Sequence, residues 1–316
     1  MLLAYNILLW IAALFLIPYY GVKMAWTGKY RRGFGQRLGL LPPEALSLMK
    51  GSPRIWVHAV SVGEVTAAAP IIVSLRKQLS DACLVLSTTT DTGQEMARRI
   101  VTGANAFIYY PLDTSFAVKR AIDAVRPDVF VLTETELWPN FIHYCNVRGV
   151  QVVMVNGRLS PRSFRRYKLA RFFWQDLLAA MDGIGAISEM DAQRFRILGV
   201  PPLRLHVLGN AKYDGLASQV SPAIREDMEG RLNFLSSETV LVAGSTHAGE
   251  EEILIGVYGE LLKTHHECKL IIVPRHIERA QAVRSLARGR GFEDVIMMSE
   301  IAGGGQRRDE RVVIVD

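Results

Sequence analysis

Glu64 closes the stretch VHAVSVGEV, where an apolar run meets a glycine and then a carboxylate; an apolar, alanine-rich run, TAAAPIIVSLRKQL, follows. Gly63 permits a tight passage from strand to helix. An acid at a helix start either complements the helix dipole or faces the crevice where ligands gather at the carboxyl ends of parallel strands. In TETELWP, residues 133–139, Glu134 and Glu136 lie two apart at the end of another apolar run. They share one face if the strand persists. Pro139 suits the first position of the next helix. The plainer reading makes Glu136 a cap and Glu134 a solvated edge; the functional reading takes two neighbouring acids as mutually perturbed groups of a site.

Basic residues supply the opposite charge. In NGRLSPRSFRRYKLARFF, from residue 156, Arg162, Arg165, Arg166, Lys168 and Arg171 interleave with Phe164, Tyr167, Phe172 and Phe173, and no acid intervenes. This is either a solvated helix face or a surface for phosphates and anionic headgroups. GSTHAGEEE, residues 244–252, is a small-residue loop before a helix, whose backbone amides could cradle a phosphate. Arg275 and His276 of VPRHIE close a strand, and Lys212 of GNAKYD stands at a domain crossing. A lone lysine or arginine is equally a solvated charge. GFGQRLG, residues 33–39, has the wrong spacing for a dinucleotide fingerprint and no strand before it. The sequence contains no Walker motif and no metal-ligand cluster.

The elements that must position these groups alternate. Apolar, β-branched runs at 54–60, 83–88, 128–134, 150–156 and 183–188 predict parallel strands covered on both faces. Amphipathic runs such as SFAVKRAIDAV lie between them. The pattern is that of a doubly wound α/β domain over 51–210. The polar, weakly patterned stretch 211–237 reads as a crossing into a second β/α domain, 238–316, with about four strands.

The 316 residues suit two domains. A net charge of +6 points to an acidic partner. With an apolar anchor expected at the N-terminus, the basic and aromatic stretch reads as a surface for anionic lipid rather than nucleic acid, so no nucleic-acid partner is expected. Three separated cysteines form no CxxC or CxxH pair, which speaks against a disulfide scaffold or a zinc site. Residues 2–22 carry no charge and as a helix reach roughly 30 Å, the thickness of a bilayer core. Lys23, Lys29, Arg31, Arg32 and Arg37 follow in a basic segment, 23–50, with no acid in the interval from 23 to 37. The expectation is a transmembrane anchor over 1–22, a single N-terminal pass through an inner membrane with the remaining chain on the cytoplasmic side.

Taken together, WVHAVSVGEV, LSTTTDTG, YYPLD, TETELWPN, NGRLSPRSFRRY, GNAKYD, GSTHAGEEE and VPRHIE resemble, in order, the 3-deoxy-D-manno-octulosonic acid (Kdo) transferases of lipopolysaccharide assembly. The resemblance implies a GT-B-type glycosyltransferase of two Rossmann-like domains with the active site between them. It implies a CMP-Kdo donor, a phosphate-bearing lipid A precursor as acceptor, and neither metal nor cofactor. It casts Glu64 as general base, Glu134 and Lys212 as transition-state stabilisers, and Pro274 and Arg275 as donor-nucleotide contacts. Arg162, Arg165 and Arg166 would hold acceptor phosphates. Family members continue past VVIVD with a glycine-rich segment and an H-N-x-x-E-P motif, so the second domain is expected to be partial. Two alternatives stay open: a non-catalytic lipid-binding module, and another sugar-nucleotide enzyme on the same fold, such as an epimerase.

Overall fold

The structure is a computed structural model that describes residues 2–27, 31–217, 221–302 and 306–316. The chain divides into two compact units, Met1–Ser218 and Gln219–Asp316.

Among the described residues, the first unit holds a sheet of seven strands: β1 Arg54–His58, β2 Cys83–Thr88, β3 Ala106–Tyr109, β4 Val129–Thr133, β5 Gln151–Gly157, β6 Gly183–Ala186 and β7 Leu205–Val207. All pairings are parallel, in the order β3-β2-β1-β4-β5-β6-β7. The two-residue period of a strand sorts side chains to opposite faces. Thus Ile55 and Val57 enter a core with Leu84, Leu86 and Ile72, while Trp56 enters another with Phe130, Leu132 and Phe141. Trp56 meets Phe141 edge-on at 5.0 Å, and its indole N–H donates to Ser87 Oγ at 2.8 Å. Burying such rings on both faces fixes the register, because a slip of one residue would exchange the faces.

The sequence did not mark β3 or β7, which at four and three residues are too short to show a period. The order of strands reverses between β1 and β4, so their carboxyl ends flank the topological switch point. There the Thr133 hydroxyl donates to the His58 carbonyl and ties the two ends together. Gly33 and Gly39 of GFGQRLG serve packing. Gly33 has φ +66°, and a Cβ on it would lie 1.9 Å from the Tyr109 ring.

The second unit carries β8 Thr239–Thr246, β9 Cys268–Pro274, β10 Val295–Met297 and β11 Val312–Ile314, parallel in the order β10-β11-β9-β8. Ile255, Tyr258, Leu270, Ile272, Val283 and Val312 form its core. The polar stretch read as a crossing contains the helices Ala211–Ala217 and Pro222–Leu232; residues 218–220 lie outside the described residues. The buried Arg307 guanidinium donates to the carbonyls of Leu232 and Asn233, the last residue and the C-cap of the second of these helices, and to Glu238.

The N-terminal helix, Leu2–Thr27, requires a correction. Among the described residues, no helix is long and apolar enough to cross a membrane. Pro18 lies inside the helix, and Tyr5 and Asn6 are committed to polar partners of the α/β core. The expected transmembrane anchor, and the inner-membrane location with a single pass that rested on it, are therefore not upheld. Lys29 of the basic segment lies outside the described residues.

Candidate active site

The helix Val62–Gln78 leaves the end of β1 with Ser61 as N-cap and Glu64 three residues on, the spacing of a capping box. The glutamate reaches one residue beyond that motif. Its Oε2 accepts from the Val60 amide at 2.8 Å and its Oε1 from the Ser61 hydroxyl at 3.2 Å. Glu64 is 7% exposed. Burial is the main cause that pushes its carboxyl up to about 7; the charges of Glu136 and Glu134 add to the rise, against the two hydrogen bonds. Its described polar partners are those two donors, and neither is a cation.

β4 ends one residue before Glu134, which adopts the left-handed region at φ +63° and donates its amide to the Val155 carbonyl at 2.9 Å. The strand does not persist, so Glu134 and Glu136 do not share a strand face as expected. A non-glycine residue held there is strained, which is a mark of functional loops. Glu134 Oε1 accepts from Lys212 Nζ at 2.7 Å. Glu136 is half-buried, and its carboxyl is raised by burial and by Glu134. It does not cap the helix Pro139–Val147: the residue at the N-cap position is Trp138, whose side chain makes no capping bond, and Pro139 takes the first helical position.

Lys212 arrives from the helix Ala211–Ala217, and its Nζ lies 3.8 Å from where a Cβ on Gly63 would stand. Two residues not assigned a role from sequence seat this helix. Asn156, at φ +55° in β5, accepts from the Ala211 amide at 3.0 Å, and Asn210 accepts from the Lys212 amide at 3.1 Å. The signal that could have found Asn156 is its type: asparagine directly before glycine, at the end of an apolar run, is the residue that tolerates a left-handed turn. The structure thus gathers Glu64, Glu134, Glu136 and Lys212 at the switch point.

The arginines are placed differently. On the helix Pro161–Leu169, Phe164 and Tyr167 pack inward, while Arg162, Arg165 and Arg166 are exposed. Among the described residues, none of the three forms an ion pair with the site carboxylates. The inner side of this helix meets the acidic loop: Tyr167 is pushed up to about 12 by burial and by Glu136. The Thr135 hydroxyl donates to the Arg158 carbonyl at 2.5 Å and accepts from the Arg158 amide at 3.1 Å.

In the second unit, Pro274 is buried at the end of β9, and Arg275 is exposed with its amide bonded to the Thr246 carbonyl at 2.9 Å. The loop of GSTHAGEEE passes through Ser245 at φ +62° into the helix Glu250–Leu261. Its Glu251, 1% exposed, receives Arg279 on both oxygens at 2.8 and 3.3 Å.

Two parallel α/β units, the first with carboxylates gathered at its switch point, define a GT-B-like protein. Solved structures agree on the fold: a UDP-GlcNAc 2-epimerase from Neisseria meningitidis bound to UDP-GlcNAc superposes with a TM-score of 0.55 at 13% identity, over 83% of this chain and 72% of that one. Another UDP-N-acetylglucosamine 2-epimerase gives 0.51 at 14%, over 85% and 69%. At such identities the likeness concerns fold alone. Residues 32–215 match the family model for 3-deoxy-D-manno-octulosonic-acid transferase (Kdotransferase), and the chain belongs to that family. It is 32% identical to the 3-deoxy-D-manno-octulosonic acid transferase of Haemophilus influenzae, over 92% of this chain and 66% of that protein. It is 32% identical to a probable mitochondrial transferase of the same name from Arabidopsis thaliana, over 82% and 56%, and 31% to that of Chlamydophila psittaci, over 82% and 58%. The chain therefore spans between about half and two thirds of the length of these relatives.

Proposed function

We propose that this chain belongs to a metal-independent, inverting glycosyltransferase that moves Kdo from CMP-Kdo to a lipid A precursor in lipopolysaccharide assembly. The observation that carries the reading is Glu64: a buried carboxylate at the switch point, raised to about 7. Such a group is half-ionised near neutral pH, where a general base works best.

In this reading Glu64 takes the proton of an acceptor hydroxyl as its oxygen attacks the anomeric carbon of Kdo. The new carbon–oxygen bond forms on the face opposite CMP, and the bond to the CMP phosphate breaks with its electron pair leaving on the phosphate. Configuration inverts. Positive charge on the sugar in the transition state is favoured by the Glu134 carboxylate. Negative charge on the departing phosphate is offset by Lys212 and Arg275, with Pro274 beside the nucleotide. Arg162, Arg165 and Arg166, exposed and unpaired with the site acids, suit the phosphates of the acceptor. The likeness to epimerases bears on the fold and favours no second reading.

The test replaces Glu64 by Ala in the protein expressed from its natural gene and measures Kdo transfer from CMP-Kdo. A fall of roughly a hundredfold or more is expected for loss of a general base. Transfer surviving near the wild-type level would remove Glu64 from this role.

A further inference from the structure

A buried polar network joins the N-terminal helix to the core. The Asp113 carboxylate, in the loop after β3, receives the amides of Asn140 at 3.0 Å and Phe141 at 2.9 Å, so it caps the first turn of the helix Pro139–Val147. Tyr5 donates its hydroxyl to the same carboxylate at 2.8 Å. Asn6 and Asn140 pair reciprocally through their side-chain amides, at 3.0 and 2.8 Å. Ser115 donates to Asn6 at 3.3 Å. Asp113 and Asn140 are buried.

The capped turn begins at Pro139, three residues after Glu136. Upstream, the same segment leaves β4 through the strained Glu134. Between these two ends it carries two carboxylates toward a third, Glu64, and like charges repel. That repulsion favours an outward shift of the segment; the Lys212–Glu134 pair and the Thr135–Arg158 bonds oppose it from within, and the two ends oppose it from outside. β4 holds one end, and the Asp113 cap holds the other.

We propose that Tyr5 and Asn6 are positioning residues for the acidic site: by fixing Asp113 and Asn140, they clamp the first turn of the helix Pro139–Val147 and so set where the Glu134–Trp138 segment holds its carboxylates against Glu64. The inference rests on Glu64 being the working carboxylate, but its test does not. Burial and the Asp113 charge hold the Tyr5 hydroxyl well above its ordinary value, so it remains a donor throughout the working range. The N-terminal helix is then part of the site's scaffold.

The test uses Tyr5→Phe in the whole chain, a change that keeps the ring beside Phe173, at 6.0 Å, and removes only the hydroxyl. Asn6→Ala is the second variant. Two quantities are read: amide exchange at Asn140 and Phe141, and the titration of the Glu64 carboxyl by carbon-13 NMR. Exchange should accelerate about tenfold, as for the loss of one buried hydrogen bond. The Glu64 midpoint should fall by roughly half a unit or more as water and distance weaken its surroundings. Faster exchange with an unmoved Glu64 midpoint would leave the network a merely structural tie and overturn the proposal, as would no change in either. Failure of the proposed function is distinct: it appears as transfer surviving Glu64→Ala, and it leaves these two readouts unaffected.

Discussion

Three carboxylates of the first unit and four of the second are displaced in opposite directions. In the first unit Glu64, Asp113 and Glu136 all lie above the ordinary range, with burial as the first cause of each. In the second, Glu238, Glu251, Glu300 and Asp316 all lie below it. Burial opposes ionisation there too, and hydrogen bonds and neighbouring charges outweigh it. Lys269 and Arg307 flank Glu238, Arg279 grips Glu251, the Met297 amide and Arg284 hold Glu300, and Ser299 holds Asp316.

Glu64 and Glu251 make the contrast sharpest. Both stand in the first turn of a helix that follows a strand, and both are buried. The helix end favours an anion at either place. Glu251 is matched by a bidentate guanidinium and is complete as a structural ion pair. Glu64 instead has two acids nearby, while the lysine of the site is bonded to one of those acids. A buried acid left without its own cation costs stability, and such costs persist where chemistry uses them.

The largest expected stability effect follows from breaking the complete pair. Arg279→Ala leaves Glu251 buried and unmatched, and should destabilise the second unit by on the order of 3 kcal/mol. Amide exchange on β9 within the intact chain measures this. A loss below about 1 kcal/mol, typical of surface pairs, would show that the guanidinium is not what settles Glu251.

Glu64→Gln should act the other way. Glu64 binds its proton more tightly folded, near 7, than unfolded, at 4.5. Ionising it in the fold therefore costs stability, in full above about pH 7 and not at all below about pH 4.5. The glutamine variant should exceed wild type by roughly 2–3 kcal/mol at pH 8 and match it near pH 4.5, read from exchange on β1 and β4. His58, held neutral by burial down to about 3, changes the pH dependence of both proteins alike and cancels in the difference. A variant no more stable than wild type at pH 8 would mean that Glu64 is not strained. Glu251→Gln should show the opposite sign, because the stability Glu251 contributes is present above 4.5 and lost as pH falls through its lowered folded value.

Much of this was legible in sequence. β-branched runs located most strands, and the acids of SVGE and TETELWP sit where those runs stop, so their place at the carboxyl ends of strands follows from order alone. Hidden features depend on tertiary partners. The helix bearing Lys212 lay in a stretch too polar to show a period, because it is only seven residues long and is seated by Asn156 from a distant strand. The left-handed turn at Glu134 has no sequence signal, since glutamate is not a turn residue. The N-terminal helix misled most. Hydropathy registered its leucines and isoleucines but could not register that Tyr5 and Asn6 find partners more than a hundred residues away.

The smallest effect is expected from Lys212→Met, and it separates field from stability. The Lys212–Glu134 pair is partly exposed, at 35% and 27%, and a pair in that setting contributes at most about 1 kcal/mol. Global stability should therefore change by less than that. The charge balance at the site changes more, because Glu134 loses its cation while Glu136 and Glu64 remain nearby. The Glu64 midpoint should rise by roughly half a unit, as added negative charge disfavours its ionisation. The methionine keeps most of the lysine's apolar length against Gly63, so packing is largely preserved. A Glu64 midpoint that stays fixed would show that the lysine lies outside its field, and the contrast with Glu251 would then reduce to burial.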